Sequence, residues 1–153
     1  MSLTYRLIDN AHAETIWTTE QSAPRWFRDA GAAWVATFDE YVELLWTDGE
    51  VWGLFDQDNL VAAVFIESIA PTHINVHVSV IGEVKPDELV RFFVSLKNQK
   101  AIEGVTVIVG WLLGKNRGLL RVAEKAGFSV TGLRMLYGVS RSRPMEWIQV
   151  RAA

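Results

Sequence analysis

The stretch that decides the reading is Gly104-Val-Thr-Val-Ile-Val-Gly-Trp-Leu-Leu-Gly-Lys-Asn116-Arg-Gly-Leu-Leu-Arg-Val-Ala-Glu-Lys-Ala-Gly127-Phe-Ser-Val-Thr-Gly132. It divides into strand, helix and strand. Residues 105–109 form a short, mostly β-branched apolar run, long enough for a buried strand and too short for a helix. Asn116 is a good N-cap, and Leu119, Val122, Ala123 and Ala126 follow at i, i+3, i+4 and i+7, one apolar stripe facing a sheet. Lys125 suits the last turn. Gly127 supplies the left-handed residue that ends the helix, and Phe128 is expected to fold back on Val122 and Ala123, as in a Schellman stop.

Outward from this unit, residues 130–139 and 145–150 predict a strand pair joined through the basic loop Ser140-Arg-Ser-Arg-Pro144. On the other side, Pro86 opens a helix to about residue 100. Leu89, Phe92, Phe93 and Leu96 are its buried stripe, Asp87 and Glu88 suit its start, and Lys97 and Lys100 suit its end. Residues 72–80 alternate strictly, with Ile74, Val76, Val78 and Val80 on one face and His73, Asn75, His77 and Ser79 on the other. Residues 51–55 and 60–69 form an antiparallel hairpin around Asp56-Gln57-Asp58-Asn59. A helix over 34–46 follows from the spacing of Trp34, Phe38, Tyr41, Val42 and Leu45, with Asp48-Gly49 as its stop. Residues 21–27 read as a loop, 11–20 as a short helix and 4–8 as a first strand. The pattern is α+β: one mixed, mostly antiparallel sheet flanked by about four helices, in a single domain over 1–153.

Composition narrows the chemistry. There are no cysteines, which excludes disulfides, thiolate nucleophiles and cysteine-based metal sites. Of His12, His73 and His77 only the last two share a strand face, so no metal site is expected. The net charge of −3 disfavours a nucleic-acid partner drawn by overall charge. From residue 115 to 151, eight basic residues against Glu124 and Glu146 give +6, which leaves −9 for the rest. Such a basic segment attracts an anionic ligand or is an ordinary solvated face. The opening residues carry no long apolar region, so neither a secretory leader nor a membrane partner is expected, and the protein is expected to be cytoplasmic.

The run Asn116-x-x-Leu119-x-Arg121-Val122-Ala123-Glu124-Lys125-x-Gly127-Phe128, with Gly132 four residues on, resembles the N-x-x-S-x-R-V-x-E-K-x-G-F segment of GNAT N-acetyltransferases, above all those acting on protein N-termini or small-molecule amines. The predicted element order resembles that fold across nearly the whole chain. The resemblance implies a GNAT-like acyl-CoA N-acyltransferase fold in which the strand ending at Trp111 splays from the strand ending near Val80. Acetyl-CoA would enter that opening as co-substrate, with Val78, Val80, Trp111, Asn116, Leu119 and Arg121 as its contacts. It also implies that the region between the first two helices shapes the acceptor site. Trp26, Phe27 and Trp34, with Arg25 and Arg28 beside them, are candidates there, although tryptophans at regular spacing are also ordinary core residues.

Departures from the family pattern are informative too. Where such enzymes place a glycine-rich loop whose N–H groups hold the cofactor's pyrophosphate, this chain has Ile81-Gly-Glu-Val-Lys-Pro-Asp-Glu88. Pro86 has no N–H, and Glu83, Asp87 and Glu88 carry negative charge, with only Lys85 opposing it. This helix start is expected to be capped by its own carboxylates. The family's frequent tyrosine acid falls at Ala123, and its serine at Leu119; Tyr137 is the substitute acid.

Acetyl transfer to an amine needs a base for the ammonium proton and a backbone donor for the thioester oxygen. His77, an imidazole with an ordinary pKa of about 6.5, is the first candidate base and Glu67 the second. The same alternation also makes a plain solvated or partner-covered sheet face. The sequence thus points to an N-acetyltransferase of small-molecule or peptide amines, with a homodimer as an open assembly. Two alternatives stand beside it: a non-catalytic GNAT-like binding or structural protein of the phage or virion kind, and an acyltransferase whose pantetheine donor lacks the nucleotide diphosphate.

Overall fold

The computed structural model describes residues 3–22, 37–43, 49–113, 116–140 and 143–152. Seven strands form one sheet in the hydrogen-bonded order β1-β2-β3-β4-β5-β7-β6: β1 (Thr4–Leu7), β2 (Gly49–Asp56), β3 (Asn59–Ala70), β4 (His73–Val80), β5 (Val107–Leu113), β6 (Phe128–Ser140) and β7 (Arg143–Ala152). The helices among the described residues are α1 (Ala13–Ser22), α2 (Phe38–Val42), α3 (Pro86–Ile102) and α4 (Arg117–Lys125), with a 3₁₀ turn at Asn10–His12. Neighbouring strands β4 and β5 are joined through α3, the crossover that makes an otherwise antiparallel sheet mixed. This is the α+β layout and element order the sequence predicts. No described helix is long and apolar enough to cross a membrane.

The chain divides into two compact units, residues 1–67 with 76–84 and residues 68–75 with 85–153. In the first, Asp9 accepts from the Ala11 N–H at 2.9 Å and so starts the turn that leads into α1. The β2–β3 hairpin closes at Asp56↔Asn59, with Gln57 at φ 56° in its tip. Such a left-handed residue suits the turn of a tight hairpin. Ile16, Val51, Ala63 and Phe65 make the core, and Ile8, Trp17, Leu60 and Ile81 pack around it. Ile16, Val51 and Phe65, fully withdrawn from water, each contribute roughly 1.5–3 kcal/mol. Thr37 and Glu40 form a reciprocal capping box at the start of α2, both bonds at 3.2 Å, and Phe38 places its ring 6.3 Å from that of Trp17. Residues 23–36 and 44–48, which include Arg25, Trp26, Phe27, Arg28, Trp34 and Leu45, lie outside the described residues.

In the second unit α3 buries Leu89, Phe92, Phe93 and Leu96, as its spacing predicts. Its end is a full Schellman stop. Gly104, at φ 91°, donates to the Ala101 carbonyl at 3.1 Å, and Val105 donates to that of Lys100 at 3.0 Å. That use of Val105 corrects the sequence reading: β5 begins at Val107, not at residue 105. It also runs two residues past Trp111, because Leu112 and Leu113 keep pairing with Ile148 and Trp147 on β7. Thr106 and Val107 both donate to the Thr72 carbonyl, at 2.9 and 3.0 Å. On α4, Val122, Ala123 and Ala126 are buried, and the Phe128 ring beyond them meets Phe93 edge-on at 6.3 Å. Along β6 the pairing with β7 shifts register between Val130 and Arg134, where Gly132 takes φ 89°.

Candidate functional site

The residues singled out from the sequence fall on both units. In the first, Glu67 is exposed on β3, opposite Gly49 of β2. His77 and Val78 are half-buried on β4, and the Nδ1 atom of His77 is shielded from solvent. The strict alternation expected of this strand holds only at its start. Ile74 and Val76 are buried as predicted, but Ser79 is 8% exposed and Val80 is 45% exposed, the reverse of the predicted order. In an element of period two, this means the inward-facing set has moved by one residue after Val76. Just beyond, the N–H groups of Ile81 and Gly82 both donate to the Val61 carbonyl, at 2.9 and 3.0 Å. Two residues against one is the count that marks a β-bulge.

In the second unit Trp111 sits on β5 opposite Gln149. Asn116 caps α4 as predicted: its Oδ1 accepts from the Leu119 N–H at 3.2 Å, which brings these two candidates together at one helix start. Leu119 is half-buried, and Arg121 is exposed one turn from the cap. Tyr137 lies on β6, and its side chain is outside the described part of the structure. Lys97 is a residue the sequence reading left as a generic helix-end charge. From α3 its ammonium donates to the Ala126 carbonyl at 2.8 Å and lies 5.7 Å from the Phe128 ring centre, so it closes the end of α4. Only the packing of one helix on the other reveals that role.

The start of α3 is closed by other means than expected. Its N-cap is Lys85, Pro86 follows at the first helical position, and no side chain makes a cap bond. The Lys85 carbonyl instead accepts from the Glu88 and Leu89 N–H groups at 3.0 and 3.3 Å. Glu88 turns to Arg91 at 3.1 Å rather than back to the cap. Backbone, not carboxylates, closes this turn. The diphosphate of a nucleotide needs convergent N–H donors, and here Pro86 has none while those of Ile81, Gly82 and Glu88 are already engaged. The N–H groups of Glu83, Val84, Lys85 and Asp87 are those that remain for an anion.

No protein-family model matches the sequence, and no curated protein matches it. Solved structures do. An N-acetyltransferase from Staphylococcus aureus superposes with a TM-score of 0.76 at 10% identity, over 99% of this chain and 97% of that one. The ribosomal-protein-S18-alanine N-acetyltransferase from Escherichia coli gives 0.75 at 13%, over 98% and 92%. The spermidine N-acetyltransferase from Vibrio cholerae, in complex with CoA and spermine, gives 0.73 at 16%, over 98% and 94%. At such identities the likeness speaks for the architecture, and the chain has the GNAT N-acetyltransferase fold.

Proposed function

We propose that the protein is an N-acetyltransferase that moves the acetyl group of acetyl-CoA to an amine of a small molecule or peptide. The observation that carries this reading is end-to-end similarity of fold to N-acetyltransferases, one of them holding CoA and a polyamine. In the reaction the amine nitrogen attacks the thioester carbonyl, the C–N bond forms and the C–S bond breaks. The ammonium must first lose a proton, and the leaving thiolate must gain one. His77, half-buried on β4, takes the first proton in this reading, with exposed Glu67 as the alternative and Tyr137 as the acid. A backbone N–H near residues 78–80 steadies the developing oxyanion. Asn116, which orders the turn that carries Leu119 and Arg121, contacts the donor with them in this reading.

A non-catalytic GNAT-like protein is the second reading, favoured by the engaged N–H groups of Ile81, Gly82 and Glu88. Thiol release from acetyl-CoA, followed across a panel of polyamines, amino acids and short peptides, separates the two. Turnover with at least one amine is expected. Neither turnover nor calorimetric binding at millimolar acetyl-CoA would leave the non-catalytic reading in possession. His77→Ala should lower turnover by about a hundredfold, within the range of general-base catalysis, while leaving donor affinity nearly unchanged. An unaltered rate removes His77 as the base.

A further inference from the structure

We infer that this enzyme recognises its donor through the acylated pantetheine arm and not through the nucleotide, so that pantetheine thioesters lacking the nucleoside diphosphate serve it about as well as acetyl-CoA. The inference rests on the N-acetyltransferase reading and narrows its donor class.

Backbone donors along residues 81–89 are partly spent within the fold. A diphosphate is held where several backbone N–H groups converge at a helix start and the helix dipole adds its partial positive charge. Ile81 and Gly82 cannot take part without giving up the Val61 carbonyl, to which they donate at 2.9 and 3.0 Å. Releasing them would leave that carbonyl, on a strand residue only 8% exposed, without these two bonds. Gly82 is also pressed against that strand: a Cβ built on it would lie 3.2 Å from Val61 Cγ1. Pro86 removes the donor at the first helical position, and the Glu88 N–H closes on the Lys85 carbonyl, which also takes the regular first helical bond from Leu89. At most Glu83, Val84, Lys85 and Asp87 retain an N–H for an anion, and two of those four carry a carboxylate.

Electrostatics point the same way. Asp87 and Glu88 occupy the first turn of α3, where negative charge already answers the dipole. Lys85 is the one cation within residues 81–88, and Arg91 is paired with Glu88 at 3.1 Å. Asn116, to which the resemblance assigns a donor contact, organises the start of α4. The chemistry needs no nucleotide: acetyl-S-pantetheine and a protonated amine give the acetamide, pantetheine thiol and one released proton. The C–N bond replaces the C–S bond, and no other reactant is required.

The test compares kcat/KM for acetyl-CoA, S-acetyl-4′-phosphopantetheine and S-acetylpantetheine with the best amine found in the panel. The expected result is that all three agree within about tenfold, at 50 mM and at 500 mM salt alike. A preference for acetyl-CoA above that limit overturns the inference while leaving the N-acetyltransferase reading standing. Absence of turnover with every donor overturns both. Lys85→Ala supplies an independent measure, because this side chain makes no cap bond and its loss should not disturb the helix. It is expected to change all three donors by less than about twofold; a loss confined to acetyl-CoA would mean that Lys85 holds the diphosphate, and the inference fails.

Discussion

Helices α3 and α4 lie in the same unit and are closed by different means at both ends. The start of α3 is shut by its own backbone, with Lys85 as an N-cap that makes no side-chain bond, whereas Asn116 caps α4 through its amide oxygen. At the far ends the contrast repeats. Gly104 finishes α3 with two backbone bonds in open space, where an added Cβ would meet nothing within 4 Å. Gly127 finishes α4 with one such bond, to Glu124 at 3.0 Å, and the Ala126 carbonyl is taken by Lys97, a side chain lent by α3. So α3 is a self-contained element. The position of α4 depends on side chains, one of them from its neighbour, and α4 is the helix to which the family resemblance assigns donor contacts.

The largest effect expected from breaking this contrast is at the two glycines. Both hold a φ of 91°, so alanine at either is strained by roughly 1–2 kcal/mol. At Gly127 the new methyl would also land on the Lys97 ammonium and push it off the Ala126 carbonyl. Loss of that charge-assisted bond adds about 1.5 kcal/mol. Gly127→Ala should therefore cost about 3 kcal/mol in denaturant unfolding, against about 1.5 kcal/mol for Gly104→Ala. In a Lys97→Ala background the two penalties should become equal. Equal penalties in the parent protein would show that Lys97 contributes nothing at this helix end.

The helix starts provide the next comparison. Asn116→Ala should lower stability by about 1 kcal/mol, the usual worth of a side-chain N-cap, and Asn116→Asp should restore most of it. Lys85→Ala should stay within about 0.5 kcal/mol of the parent, since no cap bond is there to lose. Thermal unfolding of the three variants checks this, and a Lys85→Ala loss as large as that of Asn116→Ala would erase the distinction.

What the sequence disclosed, and what it did not, follows the same division. The Asn116 cap, the buried stripes of α3 and α4, the left-handed Gly127 and the β2–β3 hairpin all rest on interactions within a few residues, and periodicity with cap and turn chemistry exposes those. The start of β5 lies two residues beyond where the sequence suggests, because the Schellman bond of Val105 is invisible in a β-branched run. The phase change on β4 is invisible in the sequence because His73-Ile-Asn-Val-His-Val-Ser-Val80 alternates perfectly in composition, while the shared acceptor that accompanies the change, Val61, lies about twenty residues away in the chain. The same distance hid the engagement of Ile81 and Gly82. Candidate residue types are legible along the chain, and the donors already used by the fold are not.

The smallest expected effect is at the end of α3, where the Lys100 ammonium, on a side chain 6% exposed, meets the Glu103 carboxylate at 2.8 Å. Its hydrogen bond from Lys100 comes first in holding the Glu103 carboxyl below its usual value near 4.5; partial desolvation opposes this, and the Lys100 charge and Gln99 assist. A carboxyl whose folded value is depressed contributes stability that is present above its unfolded value and lost as pH falls through the folded one. Since Glu103 is 43% exposed, solvent screening reduces that contribution to about 0.5 kcal/mol. Glu103→Gln should therefore be less stable than the parent by about that amount at pH 7, with the gap closing below the usual carboxylate range. The two should coincide once the parent's carboxyl is protonated. A gap that is constant from pH 7 to pH 3 would mean that Glu103 acts through packing instead of charge, and that α3 ends on its Schellman backbone alone.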